Sequence, residues 1–277
     1  MNKKKKKDLG YYLTLLLLLV GSLIMILPLY WMVVSSFKGQ AELMQMPPTM
    51  YPHNFVTTNF TRVLDSIPFI QYYANSLGVT LLSTVVAVFS SCIIGFVFAK
   101  YKFKGRNIIF LVILAFVMIP YDTLMIPLYK LMANLKLTNS YFVLTVPYFV
   151  NIFGIFLMRQ FFIDYPNDYL EAAEVDGCGH FRRFFTIVLP MAKPMASALF
   201  IYVFMAVYNS FLWPLISVNS NKLFTLPVGI AALYSSRGTQ TDLIMAASTM
   251  MVVPLMIVFA LVQKNFIEGL TIGGIKG

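Results

Sequence analysis

Hydrophobic residues along this chain come in long unbroken blocks, and short polar connectors separate the blocks. Crossing the hydrocarbon core of a bilayer takes a helix of roughly 20 apolar residues. Six blocks have about that length: Tyr11 to Ser35, Tyr72 to Ala99, Ile108 to Tyr129, Tyr141 to Met158, Met195 to Val218 and Leu243 to Val262. The pattern predicts an all-α, polytopic membrane protein with six transmembrane helices, organised as one domain over residues 1–277. Lys3 to Lys7 precede the first block, as in a signal peptide, but its apolar run is too long and no small-residue cleavage site closes it. It is expected to remain as anchor and span.

Composition strengthens this reading. Hydrophobic residues make up 59% of the chain and charged residues 12%, whereas an average soluble domain is about half apolar and about a quarter charged. A soluble fold would have no place for the surplus. The net charge of +10 would fit a nucleic-acid partner, but the positions of the charges fit a membrane topology. With the N-terminus inside, inner segments carry Lys3 to Lys7, Lys100, Lys102, Lys104, Arg106, Arg159, Arg182, Arg183, Lys193, Lys264 and Lys276. Outer segments carry only Lys38, Arg62, Lys130, Lys136, Lys222 and Arg237. Lysine and arginine concentrate on the cytoplasmic side of membrane proteins, so both termini are expected in the cytoplasm. Membrane lipid is then the expected partner of the apolar surface, and no nucleic acid is expected.

Candidate chemistry is sparse. No glycine-rich run before Lys-Ser or Lys-Thr is present to cradle a nucleotide, and no Gly-x-Ser-x-Gly elbow occurs. His53 and His180 lie far apart without a second ligand at helical spacing, and Cys92 and Cys178 form neither a metal spacing nor a disulfide framework. No catalytic residue, metal or cofactor is expected. Only Asp122, between Pro120 and Pro127, falls well inside a predicted span. A secondary carrier for a small polar solute would need such a buried carboxylate for coupling, so Asp122 carries that alternative. The outer connector Lys38 to Gln71 holds four prolines and is expected as turns or short helices. A second long outer connector runs from Asn219 to Asp242.

The cytoplasmic stretch EAAEVDGCGHFRRFFTIVLP, Glu171 to Pro190, is longer than a connector needs to be. Pro166-Asn167-Asp168 supplies a helix start with proline and acid in the first turn, and a short helix is expected over Tyr169 to Asp176. Ala172 and Ala173 leave a shallow surface for close approach. Gly177 suits the left-handed residue that ends a helix. A second helix is expected after Gly179, with Phe181, Phe184, Phe185 and Val188 on one side, and with Pro190 and Pro194 in the first turns of the next span. Glu171 is expected to pair with a cation, either on a partner or at Arg182 or Arg183.

Glu171-Ala172-Ala173, then Gly177, then Ile187-x-Leu189-Pro190 resembles the EAA loop of ABC-importer permeases, with Asp176 and Pro194 fitting its extended form. Cys178 stands where a small residue such as alanine is usual. Further segments resemble the carbohydrate-uptake branch: ANSLGVTLLST at Ala74, FAKYKFKGRN at Phe98, MIPYDTLMIPLY at Met118, YNSFLWPLI at Tyr208 and the tail QKNFIEGLTIGGIKG at Gln263. This is the group of the maltose-permease G subunit and its relatives for oligosaccharides and glycerol phosphate. The resemblance implies a non-enzymatic permease in a bacterial inner or plasma membrane, working with a second, F-type permease, an ABC ATPase dimer and an extracellular solute-binding protein. It implies that Glu171, Ala172, Ala173, Asp176, Gly177, Ile187, Leu189 and Pro190 form the ATPase-docking loop. For a sugar substrate, Asn151, Tyr208, Asn209 and Trp213 are candidates for the path, since amphipathic aromatics combine a flat apolar face with a donor. The tail Asn265 to Gly277 is expected to contact the ATPase dimer, and its four glycines argue against a helix there.

Overall fold

A computed structural model of the chain describes residues 9–234 and 240–274, with side chains described through Gln263. Every regular element among the described residues is a helix. The chain divides into two compact units, Met1–Phe69 with Ile230–Val252, and Ile70–Gly229 with Val253–Gly277.

In the first unit, α1 (Leu9–Ser35) matches the first predicted span and leaves its apolar side chains exposed. Two short helices follow, α2 (Gln40–Leu43) and α3 (Thr58–Ser66), so the proline-rich connector is a short-helix segment. Buried polar groups hold it. The Asn59 amide donates to the carbonyls of Ser36 at 3.0 Å and Lys38 at 2.8 Å. The buried Lys38 ammonium lies 4.5 Å from the Trp31 ring centroid and donates to the Thr49 carbonyl. Arg62 pairs with the buried carboxylate of Asp242 at 2.7 Å. Glu42 accepts from the Thr49 hydroxyl and the His53 N–H, each at 2.9 Å. Burial opposes its ionisation, but these bonds and the neighbouring positive charges outweigh that and hold its carboxyl below the usual range.

The second unit is built on α4 (Phe69–Lys100). Small residues on it (Ser83, Thr84, Ala87, Ser91, Cys92) are fully buried, which lets neighbouring helices approach closely, as small residues do in membrane bundles. Gly95 takes this furthest. A Cβ there would lie 2.7 Å from the Met158 Cβ and 2.8 Å from the Arg159 backbone nitrogen.

The predicted span Ile108 to Tyr129 is not continuous. It comprises α5 (Arg106–Ala115), a 3-10 turn over Phe116–Met118, and α6 (Tyr121–Asn134), with a bend of 100° between the two halves. Pro120 has no N–H to donate and disfavours helical geometry in the residue before it. Apolar composition runs on through the bend, so composition alone does not disclose it. The fourth span is also interrupted: α7 (Tyr141–Thr145), a 3-10 turn over Val146–Tyr148, then α8 (Ile152–Ile163), five residues beyond the predicted end. After α8 come α9 (Asp168–Val175), α10 (His180–Arg183), a π-helical turn over Phe184–Val188, and α11 (Leu189–Met191). α12 (Lys193–Tyr208) then departs at 75°. The predicted fifth span therefore ends at Tyr208, and α13 (Leu212–Ser217) is a separate helix, followed by α14 (Leu226–Ala231). Among the described residues, four helices are long and apolar enough to cross a bilayer, and counting each bent pair as one span raises the number to six.

Breaks inside a membrane free backbone groups that lipid cannot satisfy. Here neighbours satisfy them. Ser90 of α4 donates to the Phe149 carbonyl at 2.7 Å, Ser83 to Thr145 at 3.4 Å, and the Trp213 indole N–H to Val143 at 2.8 Å.

The last helix, α15 (Thr241–Gly274), continues well past the expected end of the span. The expectation of a non-helical tail is thus corrected for residues 265–274, while 275–277 lie outside the described residues. Each helical glycine costs only about 1 kcal/mol relative to alanine, and the intervening Gln263, Lys264 and Glu268 are good helix formers.

Candidate functional site

The segment Asp164 to Met191 is a helix, a turn and a second helix, as expected. Its first helix, α9, ends in a complete Schellman motif. Gly177 adopts φ +71°, its N–H donates to the Glu174 carbonyl at 3.0 Å, and the Cys178 N–H donates to Ala173 at 2.8 Å. Gly177 thus has the left-handed geometry that its place in the sequence predicts. Two apolar residues anchor the helix: Leu170 and Ala173 are buried, with Leu170 in the main core alongside Phe96, Phe162 and Phe184. Ala173 is therefore unavailable as outer surface, and the exposed residues of the helix and its cap are Asp168, Tyr169, Glu171, Ala172, Glu174, Val175 and Asp176. Just before α9, burial together with the neighbouring Tyr169 raises the pKa of the Tyr165 phenol, which remains neutral in its support of the loop.

Arg183 closes the motif from the far side. Its guanidinium, almost wholly buried, pairs with Glu174 at 3.2 Å and donates to the Cys178 carbonyl at 3.2 Å. The internal partner of the arginine pair is thus Glu174. Glu171 is exposed and forms no ion pair among the described residues. Lys100, at the end of α4, holds the entry to α9 through the Tyr165 carbonyl at 2.6 Å and the Asn167 side-chain oxygen at 2.7 Å. Sequence reasoning offers Arg183 as a partner for Glu171 and not for Glu174, and misses the role of Lys100, which reads there only as a topology charge. Beyond the turn, Ile187 lies in the π-helical segment, Leu189 packs against the main core, and Pro190 is exposed in the first turn of α11.

A second feature lies within the membrane-spanning part of the same unit. Breaks in three elements converge on one cavity of about 560 Å³: the bend before α6, the interruption before α8 and the end of α12. Its polar lining comprises Tyr121, Asp122, Tyr148, Asn151 and Ser210. The Tyr148 hydroxyl lies 2.7 Å from the Ser210 hydroxyl, and the Tyr121 and Tyr148 rings stack with centroids 6.3 Å apart. Asn151 caps α8, its side-chain oxygen accepting from the Gly154 N–H at 2.7 Å. Asp122 opens the first turn of α6.

Of the four residues expected along a path, Asn151 lines this cavity. Tyr208 and Trp213 are buried in the packing, Tyr208 stacked on Phe204 with centroids 5.7 Å apart. Asn209 is exposed at the end of α12 and donates to the Met205 carbonyl of its own helix. Tyr121, Tyr148 and Ser210 are lining residues that sequence reasoning misses. Tyr121 and Tyr148 each directly follow a proline (Pro120, Pro147), a signal of interruption that sequence reasoning could use, whereas no adjacent proline marks Ser210. No group of three or more metal-ligating residues occurs among the described residues.

The family described as the binding-protein-dependent transport system inner membrane component matches residues 91–271. Among relatives, the arabinooligosaccharides transport system permease protein AraQ of Halalkalibacterium halodurans is 35% identical over 280 residues, covering 100% of both chains. AraQ of Bacillus subtilis is 38% identical over 260 residues, 92% of each chain. The sn-glycerol-3-phosphate transport system permease protein UgpE of Yersinia pestis is 32% identical over 263 residues, covering 92% of this chain and 94% of the relative. A solved bacterial ABC transporter involved in the import of the acidic polysaccharide alginate contains a chain of the same fold, with a TM-score of 0.81 at 21% identity, covering 96% of this chain and 99% of that one. An all-helical architecture, a glycine-terminated helix projecting from the core and full-length relatives agree: this chain belongs to the binding-protein-dependent transport system inner membrane component family, as a multi-pass membrane permease subunit of an ABC importer and not an enzyme.

Proposed function

We propose that the chain forms half of a heteromeric pore through which ATP hydrolysis drives import of a sugar or oligosaccharide. A second, F-type permease completes the pore, an extracellular solute-binding protein delivers the substrate, and an ABC ATPase dimer supplies the energy. Both termini lie in the cytoplasm. The observation that carries this reading is α9. Its backbone is closed by the Schellman turn, its inner face is fixed by Leu170 and Ala173, and its outer face presents Glu171, Ala172 and Asp176. A rigid helix of this kind transmits a push from a docked ATPase, whereas a floppy connector would absorb it. Leu170 and Phe184 sit in the same core as α4 and α12, so displacement of α9 is passed to the elements that border the cavity. Ala173, Gly177, Ile187, Leu189 and Pro190 act here as the frame of the docking surface. The tail Asn265 to Gly277 contributes a further contact to the ATPase dimer.

The cavity bounded by Tyr121, Tyr148, Asn151 and Ser210 is this subunit's share of the path. Hydroxyl and amide groups on aromatic walls suit a polyhydroxylated ligand. Tyr208, Asn209 and Trp213 flank it at the third break. The relatives carry names for arabinooligosaccharides and for glycerol phosphate, which supports carbohydrate as the substrate class. Gradient-driven transport through Asp122 gains no further support, because that carboxylate is exposed in the first turn of α6, whereas coupling calls for a buried one.

Reconstitution of the complete importer tests the reading. ATP hydrolysis stimulated by binding protein loaded with arabino-oligosaccharide, together with uptake of that sugar, is the expected result. Uptake by this chain alone, driven by a proton or sodium gradient, would refute it.

A further inference from the structure

At the cytoplasmic end of α4 two recesses of opposite character meet. The larger, of about 730 Å³, is walled by aromatic side chains, among them Phe89, Phe96, Phe181 and Phe185. The smaller, of about 430 Å³, is much more polar and lies around Lys102, Gly105, Arg106 and Asn107, with Phe103 and Ile108 as its apolar part. Lys102 and Phe103 border both, so the aromatic cleft opens directly onto a cationic one. Lys102, Lys104 and Arg106 form no ion pair with any carboxylate among the described residues. A hydrogen bond of 3.0 Å between the Tyr101 hydroxyl and His180 Nδ1 joins the two walls of the cleft.

We propose that this compound recess is a binding site for an anionic phospholipid of the cytoplasmic leaflet, with an acyl chain between the phenylalanines and the phosphate at Lys102 and Arg106. Three observations select that occupant. The aromatic cleft needs an apolar chain, the adjoining recess needs an anion, and the connector 101–105 lies on the side that the charge count places in the cytoplasm, where anionic headgroups gather around basic clusters. An uncharged lipid satisfies only the first.

The site also bears on coupling. His180, Phe181 and Phe184 belong to the segment that joins α9 to α12, including its π-helical turn. A lipid that fills the cleft in one position of this segment and not in another shifts the balance between them by its difference in affinity. Occupancy is therefore expected to favour the position in which α9 transmits to the cavity. This consequence rests on the docking role proposed above, while the binding site does not.

The test uses the complete importer in nanodiscs of phosphatidylcholine, alone or with increasing phosphatidylglycerol. Substrate-stimulated ATP hydrolysis of the wild type should rise several-fold with phosphatidylglycerol. The double variant K102Q/R106Q, which keeps Lys100 and Lys104 for topology, should lose that rise, and K102R/R106K should retain it. Native mass spectrometry of the complex should show fewer retained phosphatidylglycerol molecules in K102Q/R106Q than in wild type. An equal rise in wild type and K102Q/R106Q would mean a general surface-charge effect and overturn the proposal, as would equal lipid retention. Loss of retained lipid in K102Q/R106Q without substrate-stimulated hydrolysis in any wild-type sample would uphold the binding site and count against the docking role of α9.

Discussion

The crossing of α4 with α8 and the turn after α9 both depend on glycine, for unrelated physical reasons. At Gly95 the backbone is ordinary helix and the constraint is space, because the neighbouring helix leaves no room for a methyl group. At Gly177 a methyl group would meet nothing within 4 Å, and the constraint is the backbone angle, φ +71°. One glycine sets how closely two helices pack. The other sets the direction in which a helix leaves the core. Substitution should therefore damage the molecule in two separable ways.

The largest effect is expected at Gly95. Valine there cannot be accommodated by side-chain rotation alone, because backbone atoms of α8 are among the obstacles. Overpacking of this kind costs about 1–3 kcal/mol and more where backbone must shift. Gly95→Val and Gly95→Asn should both lower the amount of chain recovered in the membrane, measured by immunoblot of the membrane fraction. Recovery of either at the wild-type level would remove the packing argument.

Next comes Gly177. Valine with positive φ carries strain on the order of 1–3 kcal/mol, which the helix can relieve by re-aiming. Gly177→Val should reach the membrane normally and yet lose copurifying ATPase and substrate-stimulated hydrolysis. Asparagine visits the left-handed region readily, so Gly177→Asn should keep both. This contrast with Gly95→Asn is the sharpest form of the comparison, and identical behaviour of asparagine at the two positions would collapse it.

Trp213→Phe keeps most of the ring but leaves the Val143 carbonyl without its donor. An unsatisfied buried acceptor costs about 1–3 kcal/mol, so the melting temperature of the purified complex should fall while ATPase copurification is unchanged. The smallest effects belong to the loop acids. Glu174→Gln removes a pair whose carboxylate is 69% exposed, worth about 0–1 kcal/mol, and Arg183 keeps the Cys178 carbonyl. Glu171→Ala should weaken coupling modestly, read as the ratio of transport to hydrolysis. Abolition of coupling by Glu174→Gln would show that the ion pair, and not the glycine turn, holds α9.

The helix-turn-helix around α9 was legible because its chemistry contrasts with its surroundings. A polar, glycine-punctuated segment stands out in an apolar chain, and the residue type at position 177 reports its own backbone angle. The breaks in the spans were not legible for the converse reason. Proline marks some of them but not reliably: Pro120 precedes a 100° bend, while Pro28, Pro127 and Pro254 lie inside continuous helices. At the break before α8 the freed backbone is satisfied by a neighbouring helix, Ser90 donating to Phe149, and such pairings are distant in sequence. The choice of Glu174 over Glu171 as partner of Arg183 was likewise hidden, since it depends on how the second helix returns across the turn. Glycine frequency misled at the tail, where helix-forming neighbours carry α15 through Gly274.

The π-helical turn over Phe184–Val188 lies between α9 and α12. Such a turn is equivalent to an α-helix that has taken in one extra residue. Deleting a single residue there, Thr186 for example, would restore ordinary winding. Because the wide turn absorbs the extra residue, its deletion would leave the flanking helices in nearly the same rotational phase, whereas a deletion within ordinary α-helix would rotate one side against the other by about 100° and shift it by about 1.5 Å. The face carrying Glu171 and Ala172 should therefore keep its direction when Thr186 is deleted, and turn away when a residue is removed from the regular helix α12. The π-helical turn thus works as a slack link that can take up a change of chain length without turning α9, and single-residue changes of length are expected to be better tolerated there than in α12.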